Sequence, residues 1–104
     1  MVSVIVCTFN RVKYLPICLE KLANQTVSSS EYEIIIIDNN STDESGLACE
    51  LFIDTHKTIN AHYFLELKQG ITYSRNRGIA ESKGEILAFI DDDAFVEVNY
   101  IENI

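Results

Sequence analysis

Glu33-Ile34-Ile35-Ile36-Ile37-Asp38 decides the fold. Four consecutive isoleucines leave no alternation between an apolar and a polar face, so this is not a strand with one side in water. The run ends at an aspartate and the turn-forming Asn39-Asn40-Ser41-Thr42-Asp43, and it reads as a parallel strand covered on both faces. Such a strand needs helices above and below it, and the flanking sequence supplies them.

Upstream, Val2 to Thr8 is rich in β-branched residues and stops at Phe9-Asn10-Arg11. Tyr14, Leu15, Cys18, Leu19 and Leu22 then recur at helical spacing, with Glu20 and Lys21 outside the stripe. Pro16 is tolerated best in a first turn, which puts the start of this helix near Lys13 or Tyr14. A polar connection, Gln25 to Ser30, leads into the isoleucine strand.

Downstream, Ser41 and Glu44 have capping-box spacing for a second helix carrying Leu47, Ala48, Leu51 and Phe52. A short third strand is expected over His62 to Leu65 and a third helix over Thr72 to Ser82, stopped by Lys83-Gly84. Glu85 to Asp91 forms the fourth strand and runs into Asp91-Asp92-Asp93. Val98, Ile101 and Ile104 suggest a further helix.

The βαβαβαβ order predicts an α/β domain with a mainly parallel four-stranded sheet, right-handed crossovers and helices on both faces. Ligands of such sheets sit beyond the carboxyl ends of the strands. Those ends are polar here: Thr8 and Asn10, then Asp38, then Asp91 to Asp93.

Composition narrows the function. With 104 residues, 47% of them hydrophobic, and only four Gly and one Pro, the chain is one folded domain and not a disordered or repetitive segment. Sixteen acidic against eight basic residues give a net charge of -8, the wrong sign for a nucleic-acid or anionic-membrane binder. No apolar run approaches the roughly 20 residues that span a bilayer, and Met1 to Val6 lacks the basic start of a signal peptide. Cys7, Cys18 and Cys49 are odd in number, without a C-x-x-C pair, and read as small buried hydrophobes of a cytoplasmic protein.

Strand alternation puts Asp91 and Asp93 on one side and turns Asp92 away. Two close carboxylates repel unless a cation lies between them, and a hard ion such as Mg2+ or Mn2+ with water and phosphate ligands suits them. The competing reading is a solvated turn that caps the next helix. Asp38 is either a ligand-binding group or a plain turn residue, and Asp43 reads as a helix N-cap. Arg75 and Arg77 form a close basic pair in an acidic chain, either solvated or with Arg75 turned to the polar rim. His56 and His62 have no partner at metal-ligand spacing and read as surface or capping residues.

Absent motifs exclude other classes. Thr8-Phe9-Asn10-Arg11-Val12-Lys13 replaces the glycine-rich loop of a dinucleotide fold, a Walker nucleoside triphosphatase or a nucleotidyltransferase. The same positions lack the acidic residues of a phospho-acceptor domain, and no G-x-S-x-G elbow or Cys/His pair suggests a hydrolase.

Four segments in order resemble the amino-terminal half of a family-2 glycosyltransferase of Rossmann-like GT-A fold. They are Val2 to Arg11 with its T-x-N-R ending, Ile34 to Asp43 with D-x-x-S-x-D, Gly70 to Ile79, and Phe89 to Asp93 with D-x-D. In the third, Ser74 stands where the resembling G-x-x-x-A-R-N-x-G-I pattern has alanine. The resemblance covers nearly the whole chain.

That resemblance implies that Thr8, Asn10 and Arg11 line a nucleotide pocket, that Asp38 and Arg75 lie at the base, and that Asp91 meets the ribose. Asp93 would hold the Mg2+ or Mn2+ that bridges the donor diphosphate. It implies inverting transfer from a nucleotide-diphosphate sugar, a UDP-sugar before others, to an acceptor glycan or lipid-linked sugar. The base that deprotonates the acceptor is expected beyond Ile104. Residues 1–104 are therefore expected to be a single nucleotide-sugar-binding domain truncated at its C-terminal end, cytoplasmic or at the inner face of the membrane in the full-length protein. The alternative is a non-catalytic module, or an inactive fragment, that self-associates as a homodimer through the open edge of strand 4.

Overall fold

A computed structural model describes all residues, 1–104. Its elements are β1 (Val2–Thr8), α1 (Leu15–Ala23), a 3-10 turn (Ser29–Glu31), β2 (Tyr32–Asp38), α2 (Ser45–Thr55), β3 (Ala61–Leu65), α3 (Ile71–Glu81) and β4 (Ile86–Asp91). The sheet runs β3-β2-β1-β4, and every neighbouring pair is parallel.

The isoleucine run lies in the interior of this sheet. Ile34 and Ile36 join Val4 and Val6 of β1 in a core with Leu15, Cys18, Leu19 and Leu22 of α1 and Cys49 and Phe52 of α2. Ile35 and Ile37 point the other way and cluster with Ile5, on the face where α3 packs on β1 and β2. At Gly78 the α3 backbone comes so near that an added Cβ would lie 2.5 Å from Ile5 Cγ2. Two-sided burial thus follows directly from the unbroken apolar run.

Some boundaries and faces differ from the sequence expectation. Helix α1 begins at Leu15, with Tyr14 at its N-cap position and Pro16 in its first turn. The Ser41/Glu44 capping box does not form. Instead Asp43 Oδ1 accepts the Ser45 amide at 2.9 Å, and Ser41 Oγ accepts the Asn10 amide. Helix α2 buries Ser45, Cys49 and Phe52, leaving Leu47 and Leu51 each 63% exposed. At 100° per residue the stripe of 45, 49 and 52 lies opposite 47 and 51, so both leucines cannot share the face that Phe52 takes.

Helix α3 ends at Glu81, where the Ser82 amide and hydroxyl donate to the Gly78 carbonyl. Gly84 does not stop that helix. It allows close passage, since a Cβ there would lie 2.5 Å from the Met1 carbonyl oxygen. Nearby, buried Glu33 Oε2 accepts the Ser3 hydroxyl and the Lys83 amide, fixing the entry into β4 at the end of the sheet away from the polar rim. After Asp93 the chain forms turns, not a helix; Ile101 is buried while Val98 and Ile104 are exposed. Strand β4 is an edge, and Ile86, Leu87 and Phe89 on it stay partly in solvent. No helix is long and apolar enough to cross a membrane.

Candidate functional site

Parallel strands deliver their carboxyl ends to one rim, and a cleft of about 350 Å³ opens there. Cys7, Thr8 and Phe9 line it from the end of β1, and Asn39 from the end of β2. Gln69, Gly70, Ile71 and Ser74 close it from the start of α3.

Thr8 is the hinge of the arrangement. It lines the cleft, and its hydroxyl donates to Asp92 Oδ2 at 2.9 Å, so the cleft adjoins the acidic turn after β4. Burial raises the Asp92 carboxyl above its ordinary value; the Thr8 hydrogen bond and Arg11 oppose that, and Asp93 and Asp91 add to it. Asp92 is therefore turned inward to the rim, a role the sequence assigned to its neighbours.

Arg11 Nη1 lies 3.5 Å from Asp93 Oδ2, and both side chains are about half exposed. Asp91 is exposed at the strand end, and its backbone carbonyl accepts the Cys18 thiol. Arg11, Asp92 and Asp93 are thus brought together with Thr8.

Asn10 and Asp38 each make hydrogen bonds within the chain. Asn10 adopts a left-handed backbone, φ 51°, which asparagine tolerates better than most residues. Its Oδ1 accepts the Thr42 and Asp43 amides, so it braces the β1 and β2 loops against each other. Asp38 is 2% exposed: Oδ1 accepts the Ser41 amide at 2.9 Å and Oδ2 the Tyr63 hydroxyl at 2.6 Å. Its carboxyl group does not line the cleft; the next residue does. Asn39 donates through Nδ2 to the Glu66 and Lys68 carbonyls and accepts the Gly70 amide, holding the β3–α3 loop over the rim. Strand alternation was the available signal, because consecutive residues leaving a strand face opposite ways.

Arg75 has no carboxylate within 4 Å; among the arginines, only Arg11 and Arg77 form ion pairs. The Arg75 guanidinium lies 5.4 Å from the Phe89 ring centroid, a cation–π contact between α3 and β4. Asp91 is two residues beyond Phe89, on the same face of the strand. Of the two histidines, His56 caps α2, facing the Phe52 carbonyl through Nδ1 and Glu20 of α1 through Nε2.

No three Asp, Glu, His or Cys side chains converge on a point that could hold a metal ion. Asp93 is exposed and faces Arg11, Asp91 is exposed without a side-chain partner, and Asp92 is held by Thr8. Two exposed carboxylates, Asp91 and Asp93, at the end of β4 fit a hard divalent ion that takes most of its ligands from water and substrate phosphate. They do not fit an all-protein metal cage.

The model of glycosyl transferase family 2 matches residues 3–104. The chain belongs to that family. It is 36% identical over its full length to glycosyltransferase GlyG of Streptococcus pneumoniae, covering 34% of that protein. It is 35% identical to the putative glycosyltransferase EpsH of Bacillus subtilis, with 99% of this chain and 29% of that one covered. The chain thus spans about a third of the length of these relatives.

Solved structures agree. A crystal structure of Staphylococcus aureus TarS in complex with UDP superposes with a TM-score of 0.87 at 26% identity, over 98% of this chain and 30% of that one. The mannosyltransferase PcManGT of Pyrobaculum calidifontis, in complex with GDP-Man and Mn2+, gives 0.87 at 26% identity over 90% and 28%. The four-stranded parallel sheet with helices on both faces is the architecture of these GT-A neighbours.

Proposed function

We propose that this family-2 chain is the donor-binding part of a glycosyltransferase, with the nucleotide of a nucleotide-diphosphate sugar in the cleft between β1, β2 and α3. The observation that carries this reading is the Thr8–Asp92 hydrogen bond, which sets the cleft beside the turn that carries the exposed carboxylates Asp91 and Asp93. TarS in complex with UDP and PcManGT with GDP-Man and Mn2+ support it.

Within this reading Asp93 holds Mg2+ or Mn2+, and Arg11 answers the remaining charge beside it. When bound, the ion supplies Lewis-acid stabilisation of the departing nucleotide diphosphate. The chain's own contribution is positional. Thr8 keeps Asp92 turned inward, so that Asp93 stays outside toward Arg11. Asp91, exposed at the end of β4, takes a ribose hydroxyl in this reading. Asn10 and Asp38 act behind the site by holding the loops, and Arg75 acts through Phe89. In an inverting transfer the acceptor's proton passes to a general base.

Calorimetry with UDP in the presence and absence of Mn2+ tests the proposal. The expected result is binding that requires Mn2+ and weakens at least tenfold in Asp93→Ala. Metal-independent binding, or no heat with any nucleotide, would overturn it. A second reading rests on the open β4 edge with its exposed Ile86, Leu87 and Phe89. A concentration-dependent dimer without nucleotide binding would favour self-association instead.

A further inference from the structure

One wall of the cleft is held by hydrogen bonds and not by packing. Residues 67–70 of the β3–α3 loop are all exposed, so apolar burial does not fix them, yet Gln69 and Gly70 line the cleft. Gly70 has φ 137°, a backbone that side chains other than glycine rarely adopt. Glycine also has the widest choice of conformations, so the turn is not held by its own residue. The shape of this wall has to be imposed from another part of the chain.

Asn39 imposes it. Its Nδ2 donates to the Lys68 carbonyl at 2.8 Å and the Glu66 carbonyl at 3.2 Å, and its Oδ1 accepts the Gly70 amide at 2.9 Å. Apart from the loop itself and α3, no other residue bonds the backbone of residues 67–70. Asn39 is 8% exposed, and its own amide donates to the Thr8 carbonyl at 2.9 Å. One residue therefore ties the ends of β1 and β2 to the opposite wall of the cleft. The residue type follows from the same geometry. Two carbonyls require N–H donors and one amide requires an acceptor, and a carboxamide offers both. Aspartate would set a carboxylate oxygen against two carbonyls, and alanine would leave all three backbone groups without this partner.

We infer that Asn39 is a positioning residue: its carboxamide shapes the β3–α3 wall of the cleft, and nucleotide affinity depends on it although both its polar side-chain atoms are engaged within the chain. The inference rests on the proposed donor-binding reading and adds to it a residue that acts through the loop. Losing the carboxamide releases residues 67–70 first, because their remaining hydrogen bonds lie within the loop and α3. A released loop must be ordered again when a nucleotide binds, and that ordering weakens the affinity.

The test uses the 104-residue chain with Mn2+ and with UDP and GDP as probes, in wild type, Asn39→Ala, Asn39→Asp and Ser3→Ala. Ser3 lies at the other end of the sheet, where its hydroxyl bonds Glu33 and the Gly84 amide, so Ser3→Ala lowers stability without reaching the loop. Both Asn39 variants are expected to weaken the tighter-binding nucleotide about tenfold. Asn39→Ala should also speed hydrogen exchange of the Gly70 amide about tenfold in the nucleotide-free protein. Asn39→Asp, close in shape to the native residue, carries the affinity test if Asn39→Ala does not fold. Ser3→Ala is expected to melt lower and to keep nucleotide affinity within about twofold. Wild-type affinity in the Asn39 variants, or unchanged Gly70 exchange in Asn39→Ala, would overturn this inference while leaving the donor-binding reading intact. So would an equal affinity loss in Ser3→Ala, which marks a general effect of stability. Wild type that binds neither nucleotide overturns both.

Discussion

Tyr63 donates its phenolic hydrogen to Asp38 Oδ2 across 2.6 Å, joining β3 to the end of β2. Gly46 makes room for the pair, since a Cβ there would lie 3.0 Å from the Tyr63 oxygen. With the Ser41 amide on Oδ1, the Asp38 carboxyl group is spent on holding β2, β3 and the loop before α2 together. Asp38, the residue expected at the nucleotide base, thus also holds β2 and β3 together.

Tyr63→Phe removes the hydroxyl and leaves Asp38 Oδ2 buried without its donor. The expected cost is about 1.5 kcal/mol, read as a lower urea midpoint at neutral pH with the slope unchanged. An unchanged midpoint would show that the bond contributes nothing.

Alkaline pH should unfold the protein early. Burial, then nearby carboxylates, pushes the Cys18 and Cys49 thiols up to about 12. The unfolded thiols ionise near their ordinary value, about 8.5. The folded state keeps protons that the unfolded state loses, so stability is fully present below about pH 8.5 and falls as pH rises toward about 12. The slope is on the order of 1 kcal/mol per pH unit for each thiol. Urea midpoints at pH 7, 8.5 and 10 measure it, and Cys49→Ala should flatten the decline. Equal midpoints at all three pH values would contradict the burial argument.

Gly78→Ala should strike the packing that positions the rim. Its Cβ would meet Ile5 Cγ2 at 2.5 Å, forcing α3 away from β1 and β2. Overpacking of this kind costs about 2 kcal/mol, or about 10 °C in melting temperature for a chain of this size. Because Gly70, Ile71 and Ser74 of the cleft belong to the same helix, nucleotide binding should weaken as well. Wild-type melting would mean the contact relaxes freely.

The order of strands and helices, the two-sided burial of β2 and the polar rim were legible in the amino-acid sequence. Each depends on periodicities of two or 3.6 residues and on turn residues within a few positions. Ile34 to Ile37 needed no distant partner to read as a buried strand, and Asp91 to Asp93 ended their strand where the apolar run stopped. The capping arrangement before α2 was not legible. Asp43 and Ser41 have several hydrogen-bond partners to choose from, and Asn10, some thirty residues earlier, settled the competition.

The sequence by itself determined a parallel α/β sheet of family-2 pattern with its polar residues gathered at one end. Only the tertiary structure decided which of those polar groups are free. Asp38 is matched to Tyr63 and Asp92 to Thr8 across 25 and 84 residues of chain, whereas Ser74 is left unmatched inside the cleft. The physical reason is that local periodicity sets which way a side chain points, while hydrogen-bond satisfaction depends on what distant strands bring within 3 Å of it.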